Sequence, residues 1–172
     1  MLKLIGACLL VSVSGYAGWT ISRQYARRPV ELGQFISALA MLETEIVFAA
    51  TPLPDALAGI AERSDPGVSR FFRQVAQNLQ KARGYSARDA WNMALEAHCR
   101  KSPLDGGDLA ILRSLGNNLG ISDREDQAKH LRLTLEQLKM ARAKAEETAA
   151  RNVKLWNYMG LLGGLIIVLA LY

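Results

Sequence analysis

The two ends of this 172-residue chain carry almost no charge, while its middle is crowded with charge of both signs. Residues 4–21 contain no Asp, Glu, Lys or Arg, and after Lys154 no charged side chain occurs. A helix over residues 4–21 would be roughly 27 Å long, close to the hydrocarbon thickness of a bilayer. Gly6, Gly15 and Gly18 weaken a helix in water but are common in membrane helices, and Trp19 stands where an interfacial aromatic is expected. At the other end Trp156 and Tyr158 precede an uncharged run from Met159 to Tyr172. That run is short for a span, and tilt or local thinning absorbs such a mismatch. The pattern predicts one transmembrane helix at each end.

Two processing readings compete at the N-terminus. Gly15-Tyr16-Ala17 resembles a small-residue cleavage site, and Ile5-Gly6-Ala7-Cys8 resembles a lipobox. Too few apolar residues precede Cys8 for the second, and the cations that follow the segment argue against export of what comes next. Arg23, Arg27, Arg28, Arg151 and Lys154 all lie between the two apolar ends, with only Lys3 and the amino terminus outside. The positive-inside rule then places the central part in the cytoplasm and both termini across the membrane. The expected organisation is 1–28, an N-terminal transmembrane helix with its basic flank; 29–154, a cytoplasmic helical domain; and 155–172, a C-terminal transmembrane helix.

The central part is patterned for helices throughout. Leu32, Phe35, Ile36, Leu39, Leu42 and Ile46 recur at three- and four-residue steps, predicting a helix from about Val30 to Ala49 that opens at Pro29 and stops at Thr51-Pro52-Leu53-Pro54. Leu53, Leu57 and Ile60 mark a shorter helix ending before Ser64-Asp65-Pro66-Gly67. Val68, Phe71, Phe72, Val75 and Leu79 mark the next, closed by Gly84. Ser86 with Asp89 reads as a capping box before Ala90, Trp91, Ala94 and Leu95, and Ser102-Pro103 ends that helix. Asp105 caps a helix through Leu109, Leu112, Leu115 and Leu119, closed by Gly116 or Gly120. Ser122 and Glu125 form a further capping box. From there neither proline nor glycine intervenes before Gly160, so a helix of about 50 Å is expected to reach Trp156 and continue into the second span. Leu131, Leu135 and Leu138 would pack it on the domain. No alternating strand pattern appears. The fold class is all-α, an antiparallel helical bundle flanked by two transmembrane helices.

Catalytic constellations are not legible. The chain has no phosphate loop, His98 and His130 are far apart, and the two cysteines form neither a disulfide framework nor a metal spacing. Asp105-Gly106-Gly107-Asp108 lacks the further oxygen ligands of a calcium loop. The net charge of +5 comes from interleaved acids and bases, as in Asp123-Arg124-Glu125-Asp126, not from a nucleic-acid patch. No enzyme activity, cofactor, metal or nucleic-acid partner is expected. A binding or scaffolding role fits better.

Several stretches together resemble the stage III sporulation protein AB family of endospore-forming bacteria. They are the opening Met1-Leu2-Lys3-Leu4-Ile5-Gly6-Ala7, Arg28-Pro29, Leu42-Glu43-Thr44-Glu45-Ile46, Thr51-Pro52-Leu53, and Leu115-Gly116-Asn117-Asn118-Leu119-Gly120 followed by Asp123, Gln127 and His130. The closing Gly160-Leu161-Leu162-Gly163-Gly164-Leu165 completes the set. Each is weak alone; together they cover the chain in order. Val47-Phe48-Ala49-Ala50 and Ile121 are less polar than the family pattern. The resemblance implies a single copy of the F-type platform domain of type II secretion and type IV pilus systems, set in the mother-cell side of the outer forespore membrane. It implies a scaffold of the mother cell–forespore channel apparatus. Its partners would be a secretion-type ATPase similar to the stage III AA protein and other proteins of that operon, with room for homo-oligomers. Thr51, Pro52, Asp55, Gly116, Gly120, Asp123, Gln127 and His130 are the candidate protein-contact residues, being polar-rimmed breaks in the helical packing. The alternative is a generic F-type inner-membrane platform protein of a pilus or secretion system. Those usually carry the domain twice, and no internal repeat is visible here.

Overall fold

The computed structural model describes residues 26–49, 51–81, 85–120 and 124–171, and all their regular structure is helical. Helix α1 covers residues 26–44 and passes into a π-helical turn, Glu45–Ala49. There follow α2 (Leu53–Arg63), α3 (Pro66–Gln80), α4 (Ala87–Cys99), α5 (Gly106–Asn118) and α6 (Arg124–Leu171). Val30–Arg142 forms one compact unit, and the described residues on either side of it belong to a second.

The core of the Val30–Arg142 unit follows the helical periodicity of the sequence. Leu32, Phe35, Leu39 and Leu42 are fully buried on α1, and Leu57 and Ile60 on α2. Phe71, Phe72 and Val75 of α3 and Trp91, Ala94 and Leu95 of α4 are buried, with both phenylalanine rings against the Trp91 indole. Helices adjacent in sequence pack in turn, α2 on α3, α3 on α4 and α4 on α5. Phe71 stands edge-on to Trp91 (centroids 4.8 Å apart), to Phe72 (5.0 Å) and to Phe35 (5.4 Å), the geometry that ring quadrupoles favour. Leu131 and Leu138 of α6 are fully buried as well. Gly33 faces the Arg142 guanidinium, and Glu43 accepts a hydrogen bond from Arg132 Nε at 2.6 Å, so α1 and α6 run antiparallel within this unit.

The sequence-predicted capping box that falls on described residues is formed, and the predicted cap at Asp105 proves to be a second such box. Ser86 Oγ accepts from the Asp89 amide while the Asp89 carboxylate accepts from the Ser86 amide, and Asp105 and Asp108 do the same for α5. Asp108 is thereby buried without being left unsatisfied.

Two local expectations are corrected, at Pro29 and at the end of α3, and two are refined, at the end of α1 and between Gly116 and Gly120. The chain is already helical at residue 26, so Pro29 does not open α1; its fixed φ suits a helix once no amide donor is asked of it. The helix reaches Ala49 as expected, but its last turn, Glu45–Ala49, is π-helical, and beyond it the Thr51 amide donates back to the Glu45 carbonyl at 3.3 Å. Helix α3 stops at Gln80, ahead of Gly84, which lies outside the described residues. Gly116 does not close α5: that helix continues to Asn118, and Gly120, at φ +77°, makes the left-handed turn after it.

Ser122 and the expected first span lie outside the described residues, and the second span falls mostly on residues whose side chains do so. The helix itself continues unbroken to Leu171. Among the described residues no helix is long and apolar enough to cross a membrane.

Candidate protein-contact surface

The break between α1 and α2 is held by one carboxylate. Glu45 Oε2 accepts from Thr51 Oγ1 at 2.9 Å, and Glu45 Oε1 accepts from Arg63 Nη2 at 2.7 Å. Arg63 also donates from Nε to the Gly59 carbonyl at 3.1 Å, which lays its side chain back along α2. The Arg63 guanidinium, and then the Thr51 hydroxyl, hold the Glu45 carboxyl below its ordinary value, with burial working weakly the other way. Thr51 is half-buried by these contacts; Pro52 and Asp55, just beyond it, are exposed. Asp55 sits in the first turn of α2, where a carboxylate is favoured by the exposed amides.

A second break meets the first. A Cβ placed on Gly120 would stand 3.0 Å from Ala87 Cβ and 3.9 Å from Leu53 Cδ2. The turn after α5 therefore abuts the first residues of both α2 and α4, and Arg88 Nη2 adds a hydrogen bond to the Asn117 carbonyl at 3.2 Å. Of the sequence-predicted contact residues, the structure gathers Thr51, Pro52 and Gly120 at one end of the unit. Gly116 is not with them on the surface; it is buried beneath the Trp91 indole. Gln127 and His130 are half-buried on α6, a different element, and Asp123 lies outside the described residues.

Sequence reasoning missed a polar cluster inside the bundle. Glu31 Oε1 lies 2.7 Å from His98 Nε2 and also accepts from Ser102 Oγ, joining α1 to the end of α4 and the connection that follows. The side chains of His98 and Glu31 are only 12% and 13% exposed, and the imidazole packs edge-on against Phe35 and Phe71. No spacing rule links positions so far apart, so nothing in the sequence announces the pair. Cys99 beside it is a half-buried free thiol bonded to the Glu96 carbonyl.

This helical architecture has known relatives. The family model described as stage III sporulation protein AB matches residues 3–172. The stage III sporulation protein AB of Bacillus subtilis (strain 168) is 35% identical over 171 residues, which is 99% of each chain. A solved structure of a stage III sporulation protein AB is similar with a TM-score of 0.68 at 34% identity, covering 72% of this chain and 97% of that one.

Proposed function

The chain belongs to the stage III sporulation protein AB family, and membership supports a role in sporulation; from that premise we propose that it is a non-enzymatic membrane platform. In this reading it couples a cytoplasmic ATPase of secretion type, similar to the stage III AA protein, to membrane components of the channel apparatus between mother cell and forespore. Both termini anchor it through apolar spans, and the Val30–Arg142 unit is the cytoplasmic head. The observation that carries the reading is the distribution of charge along a chain matched to the family from end to end: every cluster of cations lies between the apolar ends. The ATPase would bear on the end of the head where the Glu45–Thr51–Pro52 break meets Gly120, with Asp55 at its rim, Gln127 and His130 contributing from α6, and Asp123 as a further sequence-predicted contact outside the described residues.

The test is a topology and pull-down experiment on one membrane preparation. A cysteine at exposed Arg70, in a chain whose Cys8 and Cys99 are serine, should react only from the cytoplasmic side, and one added after Tyr172 only from the other. The ATPase should co-purify with the parent chain and not with a variant carrying Pro52→Ala, Asp55→Ala and His130→Ala. Labelling of position 70 from outside removes any direct contact between this head and a cytoplasmic motor. Intact co-purification of the triple variant removes the proposed surface.

A further inference from the structure

The described part of α6 beyond Ala143 has two unlike faces. Ala145 and Ala149 are buried, with only 3% and 7% of their surface exposed. On the other side Arg151, Lys154, Leu155 and Tyr158 follow at the i, i+3, i+4, i+7 spacing that places four side chains on one stripe. All four are exposed, and Met159 lies beside them. Along this stripe the chemistry changes once. Glu147 is the last acidic side chain in the sequence, Arg151 and Lys154 are the last cations, and beyond them the face is apolar and aromatic. Among the described residues no carboxylate pairs with either cation.

We propose that this stripe binds the headgroup layer of an anionic lipid membrane. Arg151 and Lys154 take lipid phosphates, and Leu155 and Tyr158 enter the layer next to them. The inference rests on the membrane reading above and adds the lipid class that the anchor selects. Long basic side chains can lay their stems on apolar surface while their heads reach the interface, and a tyrosine presents an apolar ring with a polar tip, which suits the same depth. Glu147 stands one turn before Arg151 but pairs with neither cation among the described residues, and no acidic side chain follows it, so the two cations suit anionic partners. A second copy meeting this stripe in parallel would set like charges against each other; a phosphodiester surface supplies the missing charge at every approach.

The experiment uses the full chain reconstituted into phosphatidylcholine vesicles containing phosphatidylglycerol. Trp19 and Trp156 are replaced by Phe, and Tyr158→Trp is the reporter; fully buried Trp91 gives a constant background. Brominated phosphatidylglycerol should quench the reporter indole well beyond its share of the lipid, compared with brominated phosphatidylcholine. The preference should fall by about fivefold for each of Arg151→Gln and Lys154→Gln, by the usual strength of a basic residue at an anionic surface, and should weaken in added salt. Quenching by the two lipids in proportion to their abundance overturns the proposal while leaving the anchor in place. Quenching by neither, the outcome when a second copy or a partner helix covers the stripe, overturns it as well. Retention in the vesicles after alkaline carbonate extraction reads the anchor separately: loss of retention brings down the membrane reading, whatever the quenching shows.

Discussion

Gly116 lies so close under the indole of Trp91 that a Cβ at this position would stand 2.6 Å from Trp91 Cγ and 2.9 Å from Nε1. The indole is tied to the same helix by its own hydrogen bond, Nε1 donating to the carbonyl of Leu112, one turn before Gly116, at 2.8 Å. Trp91 is fully buried among Phe71 and Phe72, so it has nowhere to retreat. Gly116→Ala should therefore destabilise the fold by about 1–3 kcal/mol, the usual cost of overpacking. Thermal or urea unfolding of the purified chain, followed by tryptophan fluorescence, checks it. A variant as stable as the parent would mean that the indole does not hold this position.

Glu45 gives the acid limb of stability a specific cause. Its carboxyl is held below the ordinary value by Arg63 and then Thr51, so the folded state binds that proton less readily than the unfolded one. The stabilisation is then fully present above the unfolded carboxyl value and is lost as pH falls through the lower, folded one. Glu45→Gln should be less stable than the parent at neutral pH, and the difference should shrink as pH falls through that window. Melting temperatures of parent and variant across an acid series make the comparison. A difference that stays constant with pH would assign the acid limb to other carboxylates.

The contrast between these residues shows what a single sequence discloses. Capping boxes are local: Ser86 and Asp89 stand three positions apart, the reciprocal bonds follow from that spacing, and the structure has them. The core stripes are local too, since Ala90, Trp91, Ala94 and Leu95 share a face by periodicity alone and are all buried. Gly116 reads locally as a helix terminator, yet its role is set by Trp91 on another helix, which the spacing of neighbouring residues does not reveal. The candidate contact surface is legible by halves. Thr51-Pro52 and Gly120 are each visible as breaks, but their meeting depends on how α2, α4 and α5 pack.

The Glu31–His98 pair is the clearest case of a contact set by tertiary packing, and its energetics are measurable. Both side chains are largely buried, and Glu31 Oε1 also accepts from Ser102, so removing the carboxylate strands two polar groups. Glu31→Ala should cost about 2–3 kcal/mol, within the range for hydrogen bonds to charged groups and the partners they leave unpaired. His98→Ala in the same background should cost less than His98→Ala alone, with a coupling of about 1–2 kcal/mol in a double-mutant cycle by denaturant unfolding. Additive effects would show that the two side chains touch without stabilising each other.

Gly120 combines two constraints that a pair of substitutions can separate. At φ +77° any L-residue is strained, and a Cβ there would also press on Ala87 at 3.0 Å. Gly120→Ala should lose about 1–2 kcal/mol from the left-handed backbone alone, with the contact against α4 adding to it. Asparagine tolerates the left-handed conformation better, so Gly120→Asn isolates the steric part. If the backbone dominates, Asn recovers most of the stability lost by Ala; if the approach of Ala87 dominates, the two variants are equally poor. The second result has a further consequence for the proposed contact surface. A turn wedged against the start of α4 shifts that helix when it is enlarged, so ATPase co-purification should weaken in both variants, and Ala87→Gly, by removing the opposing Cβ, should restore it in the Gly120→Ala chain.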